Sequence, residues 1–119
     1  MKFYHLGNPK EIAIAMEDVL PEGAVEIAAN SVEAAFEKHI PDVKVNGDLI
    51  EVVVGTVEHP MLDVHYISWI ALVRGKETQI KKLQPGEKPV AEFVLKGAKR
   101  FEVYAFCNLH GLWVAKVDE

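Results

Sequence analysis

Of the six histidine and cysteine side chains in this sequence, five stand at strand ends or turns where a fold could gather them round a metal ion: His39, His59, His65, Cys107 and His110. The last two share the stretch Cys107-Asn-Leu-His-Gly-Leu-Trp113, which holds the only cysteine of the chain. One thiol cannot close an internal disulfide, so it fills core, reacts or ligates. Taken singly, each residue has an ordinary reading. A histidine at a strand end usually makes a routine hydrogen bond, and a cysteine after Val-Tyr-Ala-Phe usually packs. The set as a whole is different. One soft sulfur with several imidazoles suits iron, copper or zinc, whereas calcium and magnesium take oxygen donors. A blue-copper site uses two His, one Cys and usually a weak axial Met, and no Met follows His110. A structural zinc closes with four ligands and leaves a fifth unexplained. His59 and His65 match no helical or zinc-finger spacing, so only the fold can bring these donors together.

The elements that must do so alternate in the manner of strands. Asp48–Val57, His65–Val73, Thr78–Leu83, Val90–Leu95, Phe101–Cys107 and Leu112–Val117 are β-rich runs separated by turn residues, among them Asn46-Gly47 and the cluster at 84–89. In Phe101–Cys107 the pattern puts Phe101, Val103, Ala105 and Cys107 on one face and Glu102, Tyr104 and Phe106 on the other. Trp69, Phe101, Phe106 and Trp113 read as core. Short strands at this spacing predict an all-β antiparallel sandwich or barrel, whose end loops gather residues from distant positions. Before them, Asn8–Leu20 predicts a short helix, with Asn8 as N-cap, Pro9 in the first turn and Ile12, Met16, Val19 and Leu20 on one face. Residues 30–39 predict one or two further turns, ended by Pro41. A soft boundary near 30–41 divides an N-terminal segment, 1–30, from a main domain, 31–119.

The chain of 119 residues is half hydrophobic and carries a formal net charge of -5. That is enough apolar content for a core, and the charge argues against nucleic-acid binding. A lone cysteine fits a reducing cytosol. No apolar run approaches the roughly 20 residues of a membrane span, and Met1–Ala13 lacks the apolar core of a signal peptide. The expectation is a cytoplasmic protein that binds neither membrane nor nucleic acid.

Four stretches in order, Glu37-Lys-His-Ile-Pro41, Val57–Leu72, Leu83–Phe93 and Cys107–Trp113, resemble the superoxide reductases of the neelaredoxin and desulfoferrodoxin group over about residues 30–117. The resemblance implies an immunoglobulin-like β-sandwich with one mononuclear non-haem iron. It implies that His39, His59, His65 and His110 are four equatorial ligands, that Cys107 is the axial thiolate, and that the sixth position is open in the ferrous state. It further implies that Glu37 caps the ferric iron and that Lys38 attracts superoxide. The reaction would be one-electron reduction of superoxide to hydrogen peroxide. A rubredoxin-like carrier would supply the electron, in a homodimer or homotetramer. The alternative is a non-catalytic electron-transfer protein of cupredoxin type. His5 matches no ligand position and reads as a surface residue. The resemblance is also to proteins with a second iron held by four cysteines near the N-terminus. None of those cysteines is present, so residues 1–30 are either a metal-free remnant of that domain or the short helix.

Overall fold

Alternation in β9 sets the layers of the molecule. In this computed structural model, which describes residues 2–5, 12–15 and 22–118, β9 spans Arg100–Cys107. Phe101, Val103, Ala105 and Cys107 face one core, and Phe106 faces another. The strand is therefore the middle of three layers. Its sheet runs in the order β10-β9-β6-β7, with β6 at Ile67–Arg74, β7 at Glu77–Lys82 and β10 at Gly111–Asp118. A second sheet has the order β4-β5-β8, with β4 at Pro41–Asn46, β5 at Leu49–Val54 and β8 at Val90–Val94. All pairs are antiparallel. The four-plus-three arrangement is that of an immunoglobulin-like sandwich. Ile50, Val52 and Val54 from one sheet meet Ile67, Ile70, Leu72 and Val103 from the other in a core closed to water.

The hairpins follow from their glycines. Gly47 begins the two-residue loop between β4 and β5, and Gly75 begins that between β6 and β7, both with positive φ. A positive φ at the first loop position matches the right-handed strand twist and is cheap only for glycine. β4 itself is absent from the sequence expectation, because Pro41 reads as a stop. Pro41 opens an edge strand, where a missing N–H costs no ladder bond. The open seam between β7 and β8 is bridged by side chains. The Gln79 amide donates to the Val94 carbonyl at 2.8 Å, and Lys81 Nζ donates to the Val90 carbonyl at 3.1 Å.

The N-terminal segment departs from its expected helix. Ile12–Ala15 is a strand, β2, which pairs with β1 at Lys2–His5; β1 also pairs with β3 at Val25–Glu26. Residues 8–11 and 16–20 of the expected helix lie outside the described residues. The reason for the strand is what it can bury. Ile12 and Ile14 are alternate residues, so as a strand they point the same way, onto a cluster containing Phe3, Phe106 and Leu112. Phe3 stacks on Trp69 with ring centroids 5.5 Å apart and meets Tyr104 at 4.8 Å. Trp69 stacks on Phe106 at 5.9 Å. The small sheet thus covers the outer face of the four-stranded sheet. His5 is half-buried rather than on the surface, because β1 is the central strand of that sheet. Its Nδ1 is shut off from water, and its ring meets Phe106. Helical structure between 30 and 39 shrinks to a single turn, α1, at Phe36–His39. No helix among the described residues is long and apolar enough to cross a membrane.

Removing the ring that joins the outer layer to the sandwich should be costly. Phe3→Ala is expected to lower unfolding stability by about 3–5 kcal/mol, the range for a buried phenylalanine. Urea denaturation followed by tryptophan fluorescence measures this, and an unchanged midpoint would show that the small sheet is not part of the cooperative fold.

Candidate metal centre

Four separate segments deliver donors to one end of the sandwich. Cys107 ends β9 and pairs in register with Gly111, the first residue of β10. Residues 108–110 therefore form a tight turn that brings His110 back over the cysteine, closed by Gly111 at φ 81°. His39 ends α1 and is 2% exposed. His59 follows β5, anchored by its N–H on the Val54 carbonyl at 2.7 Å. His65 precedes β6 in a small loop where Leu62 and His65 exchange backbone hydrogen bonds.

The four imidazoles close into a four-sided ring. Neighbouring centroids lie 4.7 Å apart for His39 and His59, 4.6 Å for His59 and His65, 5.1 Å for His65 and His110, and 4.9 Å for His110 and His39. The measured diagonal, His39 to His65, is longer at 6.4 Å. Each ring stands at a steep angle to its neighbours, between 73° and 86°. Donor atoms of His39, His59, His65 and Cys107 all lie within 4.8 Å of one another. His110 Nδ1 joins them, 3.1 Å from His39 Nε2 and 3.9 Å from the Cys107 sulfur. All five residues named from the sequence as ligands are thus gathered in one place.

Hydrogen bonding on the outside of the ring decides what faces inward. His39 Nδ1 donates to the Ala35 carbonyl at 2.7 Å, and His59 Nδ1 donates to the Pro60 carbonyl at 2.7 Å. A carbonyl only accepts, so each Nδ1 carries the hydrogen and each neutral ring has a bare Nε2. Those two Nε2 atoms face each other at 3.2 Å. Two lone pairs that close cannot hydrogen-bond to each other; a cation between them would satisfy both. His65 Nε2 is buried without any partner. Converging ring nitrogens, two of them on rings whose outer N–H is fixed on a carbonyl, are what a metal-binding histidine cluster needs.

Burial tunes the same groups. Removal from water holds His59 down at about 4, against a smaller opposing pull from the Pro60 carbonyl. Burial also lowers His39 and His65, with the neighbouring imidazoles and the Lys38 charge adding to it. These rings therefore stay neutral, the form that ligates. Burial pushes the Cys107 thiol up, and the backbone N–H groups of His110 and Leu109 on the sulfur oppose that. The buried thiol needs a cation to ionise.

Glu37 and Lys38 stand exposed on α1, next to His39. The Lys38 charge reaches His39 and His65. The Glu37 backbone carbonyl accepts from Val57 N–H at 2.9 Å and from Thr56 Oγ1 at 3.2 Å, which docks α1 on the 55–57 loop. The sequence reading missed three supporting residues. A Cβ on Gly55 would come within 2.6 Å of the Glu37 carbonyl oxygen and 2.8 Å of that of Ile40, so only glycine lets α1 seat. Asn108 accepts from Tyr66 N–H at 2.8 Å and donates to the Val64 carbonyl at 3.1 Å, tying the His65 loop to the Cys107 turn. Trp113, expected in the core, is fully buried but lies against His39. Position beside a ligand in Cys107–Trp113 was the one signal that could have found the last two.

Known proteins are similar to this chain in sequence and in fold. A family model described as desulfoferrodoxin matches residues 31–116. The chain is similar to a desulfoferrodoxin from Clostridium acetobutylicum, 48% identical over 98 residues, covering 81% of this chain and 75% of that protein. Among solved structures, it is similar to the superoxide reductase from Treponema pallidum (42% identity, TM-score 0.72, 78% of each chain). It is also similar to the superoxide reductase (1Fe-SOR) from Giardia intestinalis (35% identity, TM-score 0.63, 70% of this chain and 99% of that one).

The depressed histidines fix a sign for pH dependence. Unfolded imidazoles take up protons below about 6.5, and the folded ones resist until lower pH. Stability of the metal-free protein should therefore fall as pH drops from about 6.5, down to about 4 where His59 itself protonates. Urea midpoints at steps across that window measure the fall, and His59→Gln should flatten it.

Proposed function

The chain belongs to the desulfoferrodoxin family, and on that premise we propose that it is a superoxide reductase, with His39, His59, His65, His110 and Cys107 holding a single iron. The observation that carries this reading is the pair of bare Nε2 atoms of His39 and His59 at 3.2 Å, beside a buried thiol. Three imidazoles and a thiolate would suit several metals, but four imidazoles with one thiolate exceed what a blue-copper site uses. The sulfur of Met61, the methionine nearest in sequence to His59 and His65, is engaged elsewhere: it accepts the Ile67 N–H at 3.4 Å. Bound iron supplies a one-electron couple and a positive charge in a site lined by neutral rings.

The protein's own residues then divide the work. The outer N–H bonds to Ala35 and Pro60 hold two rings in the ligating tautomer. Cys107, ionised on metal uptake, is the electron-rich member of the set. Lys38 offers an ammonium at the solvent side and offsets the net charge of -5, which would otherwise repel an anionic substrate. Its Nζ–H groups can also orient the water that delivers protons. Glu37, exposed beside it, is assigned to product displacement. The balanced reaction consumes one superoxide, one electron and two protons and gives hydrogen peroxide without releasing dioxygen.

With one cysteine, this sequence holds no four-cysteine iron centre, so the electron comes from an external carrier, by family resemblance rubredoxin-like. The same resemblance supports a homodimer or homotetramer. A thiol that must stay reduced suits the cytoplasm. Residues 31–119 are assigned to the iron-binding domain and residues 1–30 to a metal-free remnant, whose described strands pack on the sandwich; the family match beginning at residue 31 supports that division.

Elemental analysis of protein isolated without added metal should give about one iron per chain; copper, or no metal, contradicts the reading. Cys107→Ser should abolish the visible thiolate charge-transfer band. Lys38→Ala should slow the bimolecular reaction with superoxide by about tenfold or more and weaken its salt dependence, as read by pulse radiolysis.

A further inference from the structure

Trp113 touches two of the four imidazole-bearing segments at once. Its ring stacks on His39 at a centroid distance of 4.8 Å and an interplanar angle of 28°. Its Nε1–H donates to the His110 backbone carbonyl at 3.1 Å. Phe36, in the same helical turn as His39, meets the indole edge-on at 5.6 Å. Trp113 is fully buried, so neither contact competes with water. His39 arrives from α1 and His110 from the turn before β10, 71 residues apart in the chain, yet their ring nitrogens stand 3.1 Å apart. Few devices could fix such a separation.

We infer that Trp113 is the positioning residue that sets the His39 ring plane against the His110 turn, so that both nitrogens face one metal ion. The inference rests on the metal-centre reading above and deepens it. His39 is held at Nδ1 by one hydrogen bond to the Ala35 carbonyl, a single contact that constrains the ring at one edge only. An indole stacked on the imidazole restricts its remaining tilt about the Cα–Cβ and Cβ–Cγ bonds. A metal-bound imidazole is also more positive than a free one, so the electron-rich indole face favours the bound form. The Nε1–H bond acts on the other side of the site. It pins the His110 carbonyl and with it the turn that carries both His110 and Cys107. Trp113 thus joins the α1 donor to the Cys107–His110 pair.

The two contacts can be separated by substitution. Trp113→Phe keeps a ring against His39 and loses the Nε1–H donor; Trp113→Leu loses both. The full-length protein, stripped of metal, is titrated with cobalt(II) against a competing chelator, with the thiolate charge-transfer band recorded at each step. Loss of an outer partner of a metal ligand typically weakens binding about 10- to 100-fold. The expectation is about tenfold for Trp113→Phe and about a hundredfold for Trp113→Leu, with the thiolate band displaced in both. Phe101→Leu, at the far end of β9, serves as a packing control: it should lower the urea midpoint without changing cobalt affinity. Folded Trp113 variants that bind cobalt as the parent does overturn the inference. So does a Phe101→Leu protein whose affinity falls as far as that of Trp113→Leu, since the effect is then general packing. If Trp113→Leu does not fold, Trp113→Phe decides alone. Should the parent protein itself take up no cobalt stoichiometrically, the metal-centre reading fails first, an outcome distinct from either of these.

Discussion

Two unprotonated ring nitrogens at 3.2 Å, with a third imidazole nitrogen and a thiol sealed beside them, are an arrangement that a folded chain does not adopt for its own stability. Lone pairs repel, and a buried polar atom without a partner costs free energy of about 1–3 kcal/mol. The rest of the structure must supply that free energy or borrow it from a ligand. A cation reverses the sign of every term. It turns the facing lone pairs into bonds, lowers the thiol pKa that burial has raised, and gives the orphaned His65 nitrogen a partner. The site is therefore preorganised at a cost, and metal binding returns that cost as stability.

The frame that holds this arrangement draws on both sheets. β5 and β6 place His59 and His65, the β9–β10 turn places Cys107 and His110, and a single helical turn before β4 places His39. Short side-chain links lock these pieces to one another. Asn108 ties two of them, Trp113 ties another two, and Gly55 gives α1 room to dock. Asn108 and Trp113 lie in the same seven-residue stretch as Cys107 and His110. That stretch is thus more than a ligand pair; it is the part to which the other segments are fitted.

This explains what could be read in advance and what could not. Alternation in Phe101–Cys107 gave the right faces, because a strand between two cores must change neighbour at every residue. The donor residues stood out as candidates by type, since thiol and imidazole chemistry is local to the side chain, but only the family resemblance set His5 apart from them. The supports of the donors did not stand out. Whether Asn108 is a loop residue or a clamp depends on Tyr66 and Val64, 42 and 44 positions away. Gly55 looks like any glycine until α1 lies on it. β4 was hidden by Pro41, and the Ile12–Ala15 strand by capping signals that suggest a helix. In that last case local propensity lost to tertiary packing: Ile12 and Ile14 found an aromatic surface that a strand could cover.

That surface is what makes the small sheet part of the fold. Strands of two to four residues are marginal on their own. Here the strands and the residue after β3 bury Phe3, Ile12, Ile14 and Ile27 against Trp69, Tyr104, Phe106 and Leu112. β1, β2 and β3 therefore depend on the sheet they rest on. Phe106 is the hinge of that dependence, since it faces the small sheet while the next residue, Cys107, faces the metal-binding donors. Packing of the outer layer therefore presses on the same strand end that positions the thiol, and the order of one is tied through a single peptide bond to the order of the other.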